Sequence, residues 1–261
     1  MNRTILFLIV VFISFFGRLS AQKTDSIPYV NTAFNAGEKL FYKVRYGLIK
    51  GGEASLTIDV TPVGNTYLYH IKALAQTTGV VGSMVTIRDI YESYVDIHSG
   101  FPVKSIRNIL EHHYTSYNEV LFFRNENYIQ SLKSGKHDAT PDILDILSAF
   151  YFARRHLFSN DLKKEEVIKL KTFFDDEIFN IDIKYKNTEK IKSQFGKLNC
   201  YRFVPATTLN GTFKKEDQLQ IWVTADENYI PVKIRVKLPI GSLKCDLIGF
   251  EGIKNRNGVL K

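Results

Sequence analysis

The sequence predicts a mainly β protein: a single strongly curved antiparallel sheet, an open barrel-like meander, with one central α-helix packed on its concave face. Three observations lead there. Apolar and polar residues alternate with period two through most of the chain, turn residues separate the alternating runs at short intervals, and only residues 140–158 carry a convincing helical period.

Residues 1–21 come first. A short basic start (Arg3), an apolar run over 5–16 and a small-residue end at Leu19-Ser20-Ala21 read as a secretory signal peptide, too short in its apolar run to span a bilayer. The expectation is an exported protein, periplasmic or otherwise extracytoplasmic, with mature sequence from Gln22. Losing Arg3 and Arg18 lowers the formal net charge from +8 to +6. That excess is spread along the chain and forms no tract suited to nucleic acid, though it suits peripheral contact with a membrane surface. Residues 22–36 are polar and patternless and read as a flexible lead-in to one β domain over 37–251, with a tail at 252–261.

The first strand is expected over 38–49, where Leu40, Tyr42, Val44, Tyr46 and Leu48 alternate with Lys43, Arg45 and Gly47. Lys50-Gly51-Gly52 reads as its turn, and Ala54, Leu56, Ile58 and Val60 continue the alternation. Further strands are expected at 67–75, 86–97, 103–111, 114–123 and 128–133. Between the third and fourth lies Gly79-Val80-Val81-Gly82-Ser83-Met84, an apolar loop that reads equally as a lid over a cavity or a buried plug.

The helix is expected to open at Thr140 as N-cap with Pro141 in its first turn, and to close on Arg154, Arg155 and His156. Its apolar arc, which includes Phe150, Tyr151 and Phe158, is wide enough for a concave seat. Arg154 falls inside that arc and therefore needs to reach past the helix end or meet a carboxylate. Asp89 and Asp96 are the candidate partners for a structural ion pair. After the helix, strands are expected at 167–174, 177–185, 198–204, 218–224, 232–238 and 243–250, the first two joined about Asp175-Asp176.

Several pieces in order resemble a known family: GEKLFYKVRYGLIKGGEASL (37–56), the segment carrying Asp89, Tyr91, Ser93 and Asp96, DILSAFYFAR (145–154), FGKLNCYRFVP (195–205) and IWVTADENYIPVKI (221–234). As a set they are similar to the bacterial secreted envelope proteins grouped as domain of unknown function 3108. The resemblance implies a cell-envelope protein and brings no catalytic residues.

The chain carries no nucleophile elbow, no His-Glu-x-x-His, no Cys-x-x-Cys, no phosphate loop and no dinucleotide fingerprint. No cofactor and no metal are implied: in Glu111-His112-His113 the two imidazoles of a regular strand point to opposite faces. Cys200 and Cys245 suit either a disulfide or two reduced core thiols. An enzyme is the less favoured class. The favoured expectation is a lipid-like or amphiphilic ligand held in the hollow of the sheet by Phe150, Tyr151, Phe158, Tyr42 and Tyr46. The alternative is a structural or protein-interaction component of the envelope with a solid core.

Overall fold

The computed structural model describes residues 31, 33–159, 163–206, 218–256, 258 and 260, without the side chains of 156–159. The expected signal peptide lies outside the described residues. Strands β1 (Glu38–Tyr46), β2 (Ile49–Val63) and β3 (Thr66–Thr77) lead to a short helix α1 (Gly79–Met84). Then follow β4 (Arg88–Asp96), β5 (Pro102–Glu111), β6 (Tyr114–Phe123), β7 (Tyr128–Ser131) and β8 (Gly135–Asp138). Helix α2 (Ile146–Ser159) separates these from β9 (Val167–Phe174), β10 (Glu177–Ser193) and β11 (Gly196–Pro205). The chain ends with β12 (Leu219–Thr224), β13 (Pro231–Lys237) and β14 (Ser242–Glu251).

All 14 strands form one sheet in the order β8-β7-β6-β5-β4-β3-β2-β1-β14-β13-β12-β11-β10-β9. Every neighbour pair is antiparallel, so the chain makes two meanders that meet where β1 pairs with β14, Val44 opposite Cys245. The alternation that marks β1 in the sequence is its burial pattern: Leu40, Tyr42 and Val44 are buried, and so is Glu38, which shares their phase.

No ladder joins β8 to β9 among the described residues, so the sheet is open there. Side chains cross the gap. In a flat sheet β5 and β9, ten places apart in the order, would lie about 48 Å from each other. Instead Arg107 of β5 donates from Nη1 to Asp175, next to the end of β9. Asp176 Oδ1 accepts from Ser131 Oγ at 2.5 Å, Ser134 Oγ at 2.6 Å and Asn118 Nδ2 at 3.1 Å. The sheet therefore bends back towards itself, and the β9–β10 turn is the latch. Asp175 and Asp176 have φ of 51° and 65°, the left-handed pair of a two-residue type I′ loop. For non-glycine residues that backbone costs about 1–2 kcal/mol each, which the docked carboxylates offset. Leu144 also covers the β9 edge, donating to Lys171 O at 2.9 Å and accepting from Phe173 N at 2.8 Å.

Helix α2 touches both meanders. Leu147 and Tyr151 pack with Phe34, Ile58, Ile71 and Val95. On another side Ala149 and Ala153 pack with Ile168, Leu170, Phe179 and Phe203.

Two expectations need correction, and two alternatives left open by the sequence are decided. The helix starts six residues later than Thr140: Leu144 is held against β9, and Asp145 is the N-cap, its Oδ1 accepting from Leu147 N at 2.8 Å and Ser148 N at 3.1 Å. Thr140 instead accepts from Lys171 Nζ at 2.7 Å. The first hairpin turns at Gly47 (φ 59°) rather than at Lys50-Gly51-Gly52, so Leu48 is 94% exposed. Gly52 sits inside β2, where a Cβ would come within 2.3 Å of Gln76 O. The apolar loop after β3 is α1, which buries no residue and is therefore not a plug. Cys200 and Cys245 are free and buried. They lie on β11 and β14, three strand spacings or about 14 Å apart, whereas a bridge needs Cα atoms about 5.5 Å apart.

The domain is also wider than 37–251. Ala33 and Phe34, in the expected lead-in, are buried, and so is Leu260 of the expected tail.

Candidate functional site

Among the described residues, charged and polar side chains gather inside the molecule at two places. The first is built around Arg154, whose position on α2 puts it at 1% exposure. Its guanidinium meets Glu38 in a two-point pair, Nη1 to Oε1 at 2.6 Å and Nη2 to Oε2 at 2.9 Å. The remaining N–H groups donate to Asn228 O at 3.1 and 2.7 Å and to Ala33 O at 3.3 Å. Tyr151 Oη donates to Glu38 Oε1 at 3.4 Å, and the Phe34 and Tyr151 rings lie 5.4 and 5.2 Å from the guanidinium carbon. Burial opposes the charge on Arg154, but the Glu38 carboxylate outweighs it and holds the pKa above its ordinary value. Burial pushes the Tyr42 and Tyr151 hydroxyls well up. Every polar atom named is satisfied within the protein, so the arrangement ties α2 to β1, to the segment before β1 and to the β12–β13 loop. It offers nothing to a substrate.

The second is a cleft between the inner side of β4–β6 and the latch. Tyr91, Ser105, Arg107, Asn118, Lys133 and Asp175 line it, with Asp145 and Phe174 on the helix side. Its cavity volume is about 40 Å³. That is room for about three waters. Arg107 stands 5.0 Å over the Phe174 ring while reaching Asp175, and Lys133 Nζ donates to Ser116 Oγ. Asp145 is buried, which raises its pKa against the opposing hydrogen bonds from Ser93, at 2.5 Å, and from the α2 backbone. Two residues before Tyr91 on β4, burial pushes Asp89 up to about 7, helped by the nearby Glu111 charge and opposed by the Leu110 N–H and Arg107. Such a carboxyl changes protonation near neutrality, but at 3% exposure and outside the cleft lining it meets no substrate.

The ligand-binding residues expected from the sequence do not share one space. Tyr42 is buried with Oη donating to Pro231 O at 3.1 Å, whereas Tyr46 is on the surface and donates to Ile240 O at 2.6 Å. Tyr151 belongs to the Arg154 cluster, Phe150 stacks edge-on against it at 5.3 Å, and the side chain of Phe158 lies outside the described residues. The expected ion-pair partners of Arg154 are replaced by Glu38. Asp89 is buried near Arg107 and Glu111, and Asp96 accepts from His98 N and Ser99 N at 3.2 and 2.6 Å in the turn after β4. Among the described residues no group of three His, Cys, Asp or Glu side chains is placed to hold a metal ion.

A family model described as protein of unknown function DUF3108 matches residues 42–248. The chain belongs to that family. No curated protein matches it. Among solved structures, the β-barrel-like protein of domain of unknown function DUF1849 from Brucella abortus is similar at a TM-score of 0.52 and 8% identity, over 83% of this chain and 97% of that one. A candidate exported protein from Bacteroides fragilis reaches 0.36 at 9% identity, over 84% and 97%. A candidate lipoprotein from Parabacteroides distasonis reaches 0.31 at 10%, over 85% and 99%. The Brucella likeness speaks for the fold alone, and the two weaker ones carry no argument. For the DUF3108 chain, the barrel-like relative agrees with a sheet whose distant strands meet across the latch.

Proposed function

We propose that this DUF3108 protein is an exported component of the cell envelope whose bent sheet is packed solid around α2, and which acts through its outer surface. The signal-like residues 1–21 support export. The filling of the interior carries the rest. Where a carrier would keep an apolar hollow, Phe34 packs edge-on to Tyr151 and Tyr69 with ring centroids 4.6 and 5.8 Å apart, beside the Arg154–Glu38 pair. Ligand pockets for drug-sized molecules run from about 300 Å³ of enclosed space. Here the cleft admits about three waters, and a second one beside Phe34 and Tyr151 admits about one. A structural or interaction role is thereby favoured over an amphiphile held inside.

Native mass spectrometry of the protein purified from its own envelope tests this. The expected result is the mass of the bare chain beginning at Gln22. A bound amphiphile in stoichiometric amount would overturn the proposal.

A further inference from the structure

The surface offers one end of the sheet where three turns stand side by side, each presenting apolar side chains to solvent. The β1–β2 turn carries Leu48 at 94% and Ile49 at 62% exposure, the β13–β14 turn Ile240 at 81%, and α1 carries Val80 at 78% and Met84 at 74%. They are held together. Tyr46 Oη donates to Ile240 O at 2.6 Å and Gly47 N to Ser242 O at 3.0 Å, which ties the two hairpins, while Thr78 N reaches Gly51 O at 3.3 Å and ties α1 to β2. Large aliphatic side chains gathered at protruding tips are unusual on a surface with no partner.

Directly behind the tips runs a row of cations. Arg45 lies opposite Lys50 on β2 and opposite Lys244 on β14, and Lys244 lies opposite Arg235 on β13. Cross-strand partners share a face, so four consecutive strands carry four positive charges in line. Glu53 is 2.6 Å from Lys50 and Asp246 is 2.5 Å from Arg45; among the described residues Lys244 and Arg235 have no carboxylate partner. Like charges set opposite one another cost stability, and a counter-charged surface recovers it.

Apolar tips with a basic row behind them fit the two layers of a bilayer surface, acyl chains beneath anionic headgroups. We propose that this end of the sheet docks on a membrane surface containing anionic phospholipid, inserting Leu48, Ile49, Ile240, Val80 and Met84 with Lys50, Arg45, Lys244 and Arg235 at the headgroups. The inference rests on the reading that the protein acts through its surface.

Co-sedimentation of the mature chain with phosphatidylglycerol–phosphatidylcholine vesicles, and with phosphatidylcholine vesicles alone, tests it. Binding is expected on the mixed vesicles, weakened by added salt. Leu48→Gln and Ile240→Gln each lower the partition coefficient about tenfold. Lys244→Gln lowers it about fivefold on the mixed vesicles and leaves the neutral ones unchanged. Tyr67→Gln replaces a side chain at the far end of β3 that is 56% exposed in the native protein, and has no effect on binding. All four sites are on the surface, so the variants fold, which circular dichroism verifies. No binding to the mixed vesicles, equal binding by all variants, or a protein dimer lost on Leu48→Gln would each overturn the proposal. Lipid found in the soluble protein fraction after sedimentation would count against the solid interior instead, which keeps the two readings separable.

Discussion

Replacing Glu38 by Gln keeps the shape of the side chain and removes its charge. Arg154 would keep the carbonyls of Asn228 and Ala33 but lose both short contacts to a carboxylate. Because the two side chains are 1% and 0% exposed, water cannot screen the stranded cation. Breaking a buried pair from one side costs about 3–5 kcal/mol. At about 2–4 °C per kcal/mol for a domain of this size, a loss of ~4 kcal/mol lowers the melting temperature by about 8–16 °C. Arg154→Met should cost a similar amount, since it leaves the Glu38 carboxylate buried with the Tyr151 hydroxyl. The Glu38→Gln/Arg154→Met double variant has no buried charge and should lose much less than the sum of the singles. Urea and thermal unfolding of all four proteins give the cycle. A Glu38→Gln cost below about 1 kcal/mol, or strict additivity, would refute the reasoning.

Three more outcomes follow from the structure. The folded value of Asp89, about 7, lies above its unfolded value near 4, so between those pH values the unfolded chain has released a proton that the folded chain keeps, and stability falls as pH rises. Asp89→Asn should match the native protein near pH 4 and exceed it at pH 8 by on the order of 2 kcal/mol after allowance for solvent screening, read as melting temperature against pH; no difference between the two pH values defeats this. Asp176→Gly suits the positive φ, so removing the clamp on Ser131, Ser134 and Asn118 should show as a net loss of about 2 kcal/mol and faster amide exchange in β7 and β8, whereas a net gain would mean the latch bears no load. Burial pushes the Cys200 and Cys245 thiols up to about 12, so neither should react with a thiol reagent until the protein unfolds, and reductant should leave the melting temperature unchanged.

Most of the sheet was legible because period-two alternation is the direct imprint of a sheet with one dry face. Strand β8, Gly-Lys-His-Asp, has no large apolar side chain and left no such imprint. The helix start was misplaced because Thr140-Pro141 has the chemistry of a cap, while Asp145 acquires that role from Leu144 being paired to β9, a contact distant in sequence. Glu38 was readable in principle. It occupies the apolar phase of β1 as Arg154 occupies the apolar arc of α2, and two opposite charges each out of pattern are complementary. The latch was half legible: the Asp175-Asp176 turn follows from its flanking strands, but its landing on Arg107 and Ser131 depends on the bend of the whole sheet.

The seam between β1 and β14 bears on how the protein comes into being. Arg45 and Asp246, which join across it, are 201 residues apart in the chain. A polypeptide emerging N-terminus first can zip β1 to β2 at once, yet the other edge of β1 stays bare until β14 has emerged. Bare strand edges invite pairing with neighbouring chains, and distant pairings form slowly. Newly made molecules therefore pass through an interval in which a holding chaperone has the most to protect, and a chain truncated before β14 never leaves it.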